Sequence, residues 1–472
     1  MKKHVGRGGG SSRRDRATGS RVALSIHELA AGGAGVARTE QGEVVFVAGA
    51  APGDVVEVDI DRAAHPARGK LLKILTAGPG RITPPCTFVE TCGGCDWMHL
   101  SPSTQQDAHA ELIRRAISRA TAVDDLPPIH VHPALQPLGY RTRARLFAKA
   151  GRGGAPRAFK KPPPPPGKPP RVEVGYRASS SHLLASVDRC LVLHPALDPL
   201  LRELPTLLAG ATGEGDVLIA AGQGGRPVVE ILWSGDLPPT TWSMLDQRIA
   251  EGTWAGARVS LEGVSRPASF GDPRPVLQGA DGAPLLLAAG GFGQPSEEGA
   301  SVLAKRVADL AWLDLPARPM HVLELFAGSG TLSILLARGP SGADLASFVA
   351  VEHGAEAAAC LRENLSARGL AGKVVVADAD ATPVPPRADV VILDPPRAGA
   401  SGAAAAIAAS SVRAVVYVSC NPATLARDLV PLLASGLVIT HLEAVELFPQ
   451  TSHIETIVRL ARHRPSRAPA LS

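Results

Sequence analysis

From about residue 301 the chain alternates short apolar runs with helical segments: "HVLELF", "FVAVEH", "KVVVAD", "ADVVILD" and "AVVYVSC", then "VITHLEAVELF" and "HIETIVRLAR". No other feature constrains the fold as much. Runs of Val, Ile and Leu without polar alternation belong to strands buried on both faces, and strands covered on each side by intervening helices form a largely parallel sheet. The expected fold class is therefore α/β, with a Rossmann-like domain over residues 301–472. Ligands of such sheets bind beyond the carboxyl ends of the strands, so side chains at those ends are the first functional candidates.

Upstream the pattern changes. Residues 21–77 read as five short strands separated by glycine, "RVALSIHEL", "GVART", "GEVVFVAGA", "DVVEVDID" and "GKLLKIL", a pattern that suits a small β-barrel of the OB type, a common oligonucleotide platform, and equally any other small β-domain. Residues 78–300 are rich in Pro and Gly and carry strand-like pieces such as "YRTRARLFAKA" and a helical piece, "DAHAELIRRAISRA"; an α+β central domain is expected. Within it, "KKPPPPPGKPPR", edged by Lys160, Lys161, Lys168 and Arg171, cannot continue a strand ladder and reads as a stiff surface insertion. Residues 1–20 set Lys2, Lys3, Arg7, Arg13, Arg14 and Arg16 among glycines and serines, the composition of a disordered basic arm.

A net charge of +5 spread over 472 residues favours a polyanionic partner only mildly, so the clustering of charge carries more than the total. Tyr140, Arg141, Arg143 and Arg145 form a basic strand suited either to phosphate or to plain solvent. Aromatic residues are only 4% of the chain, which leaves little for binding by base stacking alone. No stretch approaches the roughly 18 apolar residues of a membrane span, and no secretory segment opens the chain, so a cytoplasmic monomer without membrane contact is expected.

In "LELFAGSGTLSILLA" the glycines Gly328 and Gly330, with Phe326 before them and Thr331 after, occupy the turn between the first strand and its helix. Glycine lets backbone approach a ligand closely, and a helix amino terminus offers free N–H groups. The third glycine of the dinucleotide fingerprint is missing, and an acidic residue, Glu352, ends the second strand about twenty residues on, where a carboxylate can accept both ribose hydroxyls of an adenosine. Asp378 follows the third strand and is placed to meet the adenine end. A cofactor without a pyrophosphate suits this loop, as S-adenosylmethionine does; a solvated strand end is the bland alternative for each acid.

The fourth strand ends in "ILDPPRAG", Asp394 to Gly399, and the fifth in "YVSCNPATLARDL", which holds Cys420. Arg397 stands where amine methyltransferases usually place a ring that clamps the base. That favours a covalent handle instead. A thiolate at Cys420 can add to carbon 6 of a uracil, making carbon 5 nucleophilic enough to take a methyl group; a base must then remove the carbon 5 proton. "LFPQTSHIETIVRL" offers His453 and Glu455 as that base. Alone, Cys420 would read as a small buried hydrophobe.

Six cysteines occur, and Cys86, Cys92 and Cys95 follow C-x5-C-x2-C spacing with Cys190 as a distant fourth. Four thiolates suit a [4Fe–4S] cluster or structural zinc alike. Cys360, inside "AAACLRENL", reads as packing.

"DPPRAG", "SCNPATLARDL" and "FPQTSHIETI" resemble the three signature blocks of the RNA 5-methyluridine methyltransferases. "CTFVETCGGCDWMHL" with "VDRCLVLHP" resembles the iron–sulfur site of the ribosomal-RNA branch of that family, and the first eighty residues resemble its TRAM domain. The resemblance spans nearly the whole chain except the basic arm and the polyproline insertion. It implies a SAM-dependent methyltransferase domain over 301–472, TRAM over 21–77 and an iron–sulfur site within 78–300. It implies Cys420 as nucleophile, Glu455 as base, and S-adenosylmethionine contacts from Gln294 in "GGFGQPS", Phe326, Glu352 and Asp394, with Asp378 beside them. It favours a structural [4Fe–4S] cluster on Cys86, Cys92, Cys95 and Cys190, and an RNA substrate, 23S ribosomal RNA ahead of transfer RNA. Ser296 and Thr331 depart from the family pattern, which commonly has Asn at both positions. Formation of 5-methylcytidine is a weaker reading, because "DPPR" lacks the second cysteine that chemistry uses. A non-catalytic RNA-binding assembly factor on the same scaffold is the other alternative.

Overall fold

In the computed structural model, residues 21–150, 171–179, 181, 183–316, 318–340 and 345–462 are described. The basic arm with Lys2 to Arg16, and the polyproline insertion with Lys160, Lys161 and Lys168, lie outside the described residues. The chain divides into two compact units, one ending at Arg81 and one beginning at Ile82.

In the first unit, β1 (Arg21–Leu29), β2 (Gly35–Arg38), β3 (Val44–Val47), β4 (Val55–Asp61) and β5 (Ala67–Thr76) form a closed barrel in the order β1-β2-β3-β5-β4. These are the five strands expected from the glycine spacing. Alternate residues point inward, so Leu24, Ile26, Ala37, Val45, Val47, Val56 and Val58 make the interior. Gly35 is required by crowding, since a Cβ there would stand 2.8 Å from the Ile26 side chain. The barrel's end is tied by buried Asp54, which accepts the Ala51 and Gly78 N–H groups at 2.7 and 2.8 Å and pairs with Arg81 at 2.6 Å. Burial pushes its pKa up, but Arg81 and the two amides outweigh that and hold it below the usual value.

The second unit opens with α1 (Pro102–Thr121) and β6 (Ile129–His132). There follow β7 (Arg143–Ala150), β8 (Val172–Arg177), β9 (Leu184–Ser186), α2 (Leu200–Leu207), β10 (Glu214–Ala221), β11 (Pro227–Ser234), α3 (Pro239–Ala250), β12 (Gly256–Leu261) and β13 (Ala268–Gly271). The seven strands from β7 to β13 form one sheet, ordered β13-β12-β11-β10-β7-β8-β9. A hairpin, β14 (Val276–Gln278) and β15 (Pro284–Leu286), leads to α4 (Glu297–Trp312).

The remaining elements are β16 (Met320–Leu325), α5 (Ser333–Leu336), β17 (Leu345–Glu352), α6 (Ala355–Ser366), β18 (Lys373–Val376), β19 (Val390–Leu393), α7 (Ser401–Ala408), β20 (Ala414–Ser419), α8 (Pro422–Ala434), β21 (Leu437–Val445) and β22 (Glu455–Arg462). They build an eight-stranded sheet, β18-β17-β16-β19-β20-β22-β21-β6. Five strands from β18 to β20 run parallel, and β22 enters antiparallel between β20 and β21. As the unbroken apolar runs require, β19 and β20 are buried at every position. The edge strand β6 comes from the 78–300 segment and pairs parallel with β21, while α1 packs on α8. The order reverses between β16 and β19, which opens the crevice where such sheets bind ligands.

Candidate active site and cysteine cavity

Strand register brings Cys420 and Glu455 together. Ser419 of β20 pairs with Thr456 of β22 as the last pair of that ladder, so Cys420 and Glu455 leave it at the same end, near enough that the Glu455 charge raises the Cys420 thiol. Neighbouring β19 ends at Leu393, so Asp394 emerges at the same edge. Glu455 is buried, and its Oε2 has no hydrogen-bond partner.

This edge concentrates acid. Burial, and then the charge of Asp394, hold the Glu455 carboxyl well above the carboxylate range. Burial lifts Asp394 to about 7. Glu324 on β16 is lifted to about 8 by burial, although it accepts a 2.6 Å bond from the Ser333 hydroxyl. For Cys420, burial and then Glu455 and Asp394 push the thiol to about 11 against the pull of Arg397. The sequence reading took this sulfur as a deprotonated nucleophile; in the protein alone burial first, and then the carboxylates of Glu455 and Asp394, hold it as a thiol. His453 is pushed below its ordinary value by burial and by Arg397, whose Nη2 lies 3.4 Å from its Nε2. Neutral His453 is thus an acceptor for Arg397.

The first two signature blocks are latched to each other. Asn421 caps α8 by accepting the Ala423 N–H at 3.1 Å, and Pro422 fills the first helical position where a missing N–H costs nothing. The Asn421 Nδ2 and Thr424 hydroxyl both donate to the Arg397 carbonyl at 3.1 Å, and Arg427 Nη2 donates to the Ala398 carbonyl at 2.9 Å. Buried Asp428 accepts from the Ala400 N–H at 2.7 Å, the Tyr417 hydroxyl at 2.7 Å and Arg427 Nε at 2.8 Å. Gly399 has φ of 78°, and a Cβ there would stand 2.5 Å from both Arg427 and Asp428. The loop after Asp394 is therefore fixed to the helix after Cys420. Sequence reasoning missed Asp428 and Tyr417; a polar residue eight positions after Cys420 looks like a helix surface until the fold buries it.

At the candidate cofactor loop, Phe326 has φ of 61°, a left-handed conformation that a bulky residue adopts only under constraint. Gly328 donates its N–H to Glu352 Oε2 at 2.8 Å, and Gly354 donates to Oε1 at 2.7 Å, so the acid at the second strand end holds the loop as well as facing it. Gly330 takes φ of 102°, and a Cβ would meet Leu361 at 2.6 Å. Half-buried Thr331 lies in the turn before α5, which is only Ser333–Leu336, shorter than the expected helix. Asn364 of α6 clamps the loop to the hairpin, donating to the Ser329 and Leu286 carbonyls at 2.8 Å. Asp378 is exposed and caps its own turn through the Asp380 N–H at 3.0 Å. Gln294 is buried with an unpartnered Oε1, and Ser296 caps α4 by accepting the Gly299 N–H at 3.0 Å. A buried amide oxygen lacking a donor fits a ligand that brings one, such as the ammonium of S-adenosylmethionine.

The four cysteines predicted as ligands line one cavity, Cys86, Cys92, Cys95 and Cys190, walled by Phe88, Met98 and Tyr176. All are free thiols. Burial raises the Cys92 and Cys95 thiols, and the charge of Cys190, with Cys86 and for Cys95 also Cys92, raises them further, Cys95 to about 12. Such a nest of sulfurs is deprotonated only with a cation among them, which fits a metal group. Among the described residues, no group of three or more His, Cys, Asp or Glu side chains is already arranged to hold a metal ion. Cys360 is buried in the helix as expected. Among the described residues, no helix is long and apolar enough to cross a membrane.

Comparison with known proteins follows the same divisions. The tRNA (Uracil-5-)-methyltransferase family model matches residues 387–463, the TRAM domain model residues 15–72 and the methyltransferase small domain model residues 297–415. The chain is 33% identical to the 23S rRNA (uracil(1939)-C(5))-methyltransferase RlmD of Chromohalobacter salexigens, over 97% of this chain and 92% of that one. It is 32% identical to the protein of the same name from Edwardsiella ictaluri, over 94% and 96% of the two chains. The tRNA (uracil-54, C5)-methyltransferase of Pyrococcus abyssi, solved with S-adenosyl-L-homocysteine, shares the fold with a TM-score of 0.69 at 21% identity, covering 93% of this chain and 99% of that one.

Proposed function

The chain belongs to the RNA uracil-C5 methyltransferase family, and from that premise we propose that it methylates carbon 5 of a uridine in RNA through a covalent bond between Cys420 and carbon 6. The observation that carries this reading is that Cys420 and buried Glu455, whose Oε2 has no hydrogen-bond partner, lie at the same end of the β20–β22 ladder within electrostatic reach of each other. The Cys420 thiol loses its proton to water and adds to carbon 6, and the ring electrons move onto the carbon 4 carbonyl as an enolate. Bound S-adenosylmethionine supplies an electrophilic methyl group, with Gln294, Phe326, the Gly328–Gly330 turn, Thr331, Glu352, Asp378 and Asp394 as its holders. Carbon 5 would take that methyl group as its bond to the sulfonium sulfur breaks, leaving S-adenosylhomocysteine; Glu455 then removes the carbon 5 proton, the ring double bond reforms and Cys420 leaves as thiolate. The sulfonium charge adds to that of Arg397 at this acid-rich edge, so it favours both ionised Glu455 and ionised Cys420.

Ribosomal RNA is the favoured substrate, in keeping with the named relatives, and the protein acts as a cytoplasmic monomer. A uridine in a stem must turn out of its stack to reach Cys420. We assign the cysteine cavity to a [4Fe–4S] cluster with a structural role. Its support is four free cysteines lining one cavity; iron and acid-labile sulfide in purified protein support it, and one equivalent of zinc contradicts it. Mapping 5-methyluridine in ribosomal and transfer RNA from cells with and without the gene tests the function. Glu455→Gln is expected to accumulate covalent protein–RNA complexes. A Glu455→Gln enzyme that turns over like the parent would remove this residue from the mechanism.

A further inference from the structure

One short run of chain joins the cysteine cavity to the catalytic edge. Cys95 is followed directly by Asp96 and Trp97. Asp96 Oδ1 accepts the Ser452 N–H at 2.9 Å and Oδ2 accepts the Ser452 hydroxyl at 2.6 Å. The Trp97 N–H donates to the Gln450 carbonyl at 3.0 Å. Gln105 of α1 accepts the Gln450 N–H at 2.9 Å and returns a bond to its side-chain oxygen at 3.2 Å. Tyr140 packs with Met98 among Cys86, Cys95 and Cys190, and its hydroxyl donates to the Pro449 carbonyl at 3.2 Å.

These bonds hold a backbone that would otherwise relax. Gln450 has φ of 73°, a conformation that disfavours any residue with a Cβ. The held stretch, residues 449–452, runs straight into His453 and Glu455. Cys420 is fixed independently, between β20 and the latched amino end of α8.

We propose that Asp96 is a positioning residue through which a metal-loaded cysteine site holds the catalytic loop 449–453. Loading fixes Cys95, Cys95 fixes Asp96 and Trp97, and these fix how Glu455 approaches the carbon 5 proton. The proposal rests on reading the cysteines as a metal site and Glu455 as the base. Loss of metal then slows expulsion of Cys420 from the methylated ring and spares formation of the bond.

The test compares protein as isolated, protein stripped of metal by oxidation and chelation, and the full-length variants Asp96→Ala and Asp96→Asn. Amide exchange at Gln450 and Ser452 is read alongside metal content and the ratio of covalent RNA complex to released product. Stripping should raise exchange at both amides. Asp96→Ala should keep its metal, raise exchange at Ser452 and slow product release by about 100-fold, the scale of a misplacement of about 1 Å. Asp96→Asn retains an acceptor for the Ser452 N–H and should restore most of that loss.

Unchanged exchange after stripping, product release by Asp96→Ala at the parent rate, or equal loss in Asp96→Asn would each overturn the coupling. Protein isolated without iron or zinc would overturn the coupling together with the reading of the cysteines. Absence of any covalent complex from the parent enzyme would instead overturn the reading of the mechanism, and the exchange measurements would still decide the coupling.

Discussion

Replacing Asp428 tests whether the two signature loops are latched as the structure shows. Its carboxylate accepts from the Ala400 N–H, the Tyr417 hydroxyl and Arg427 Nε, and the residue is 1% exposed. In Asp428→Ala the Ala400 N–H and Tyr417 hydroxyl lose their partner inside the protein, at about 1–3 kcal/mol each. Arg427 adds little, because its half-exposed side chain can turn to water. A total loss of about 3–5 kcal/mol is expected, a large part of a typical domain's stability of about 5–15 kcal/mol. Asp428→Asn should cost only about 1 kcal/mol, since its amide oxygen can still accept both buried bonds and only the contact with Arg427 is lost. Tyr417→Phe should cost a similar amount, and the Tyr417→Phe/Asp428→Asn pair should be non-additive. Urea unfolding of the four variants gives these values. If Asp428→Ala proves as stable as Asp428→Asn, the latch does not bear on the fold as argued.

Burial and two neighbouring carboxylates place the Cys420 thiol near 11 in the free protein. Its alkylation, followed by peptide mapping, should therefore rise with pH toward about that value and shift to lower pH with S-adenosylmethionine but not with neutral S-adenosylhomocysteine; equal shifts would refute the charge explanation. Glu324 is raised from 4.5 to about 8, so the folded protein holds a proton that the unfolded chain releases across that window. Its contribution to stability is fully present below 4.5 and is lost as pH rises through about 8, amounting to several kcal/mol at about 1.4 kcal/mol per pKa unit. Glu324→Gln keeps the bond from Ser333 and should flatten that decline in urea midpoints between pH 5 and 8; an unchanged slope would contradict it.

The parallel strands were legible because β19 and β20 are buried at every position and so carry no polar alternation. The five strands of the barrel were legible from their glycine-bounded alternation, whereas their closure into a barrel depends on strand pairing that the pattern does not encode. Each block of the site could be read separately, as Cys420 after one strand and Glu455 at the start of another. Their adjacency could not, since it depends on β22 inserting antiparallel between β20 and β21, and periodicity is blind to strand order. β6 was missed because "IHVH" is four half-polar residues whose strand partner among the described residues lies some three hundred positions away. The protonation of Cys420 was missed for the same reason as Asp428: both depend on what other elements bring within reach, which the local pattern does not encode.

The central claim is a transient sulfur–carbon bond, and trapping it is the most direct test. RNA carrying 5-fluorouridine cannot lose its carbon 5 substituent as a proton, so the enzyme with S-adenosylmethionine should stop as a covalent complex. Mass spectrometry of the digested complex is expected to find the methylated fluorouridine on the peptide containing Cys420, and none with Cys420→Ala. The nucleotide on another side chain, or a stable complex formed by Cys420→Ala, would contradict the account.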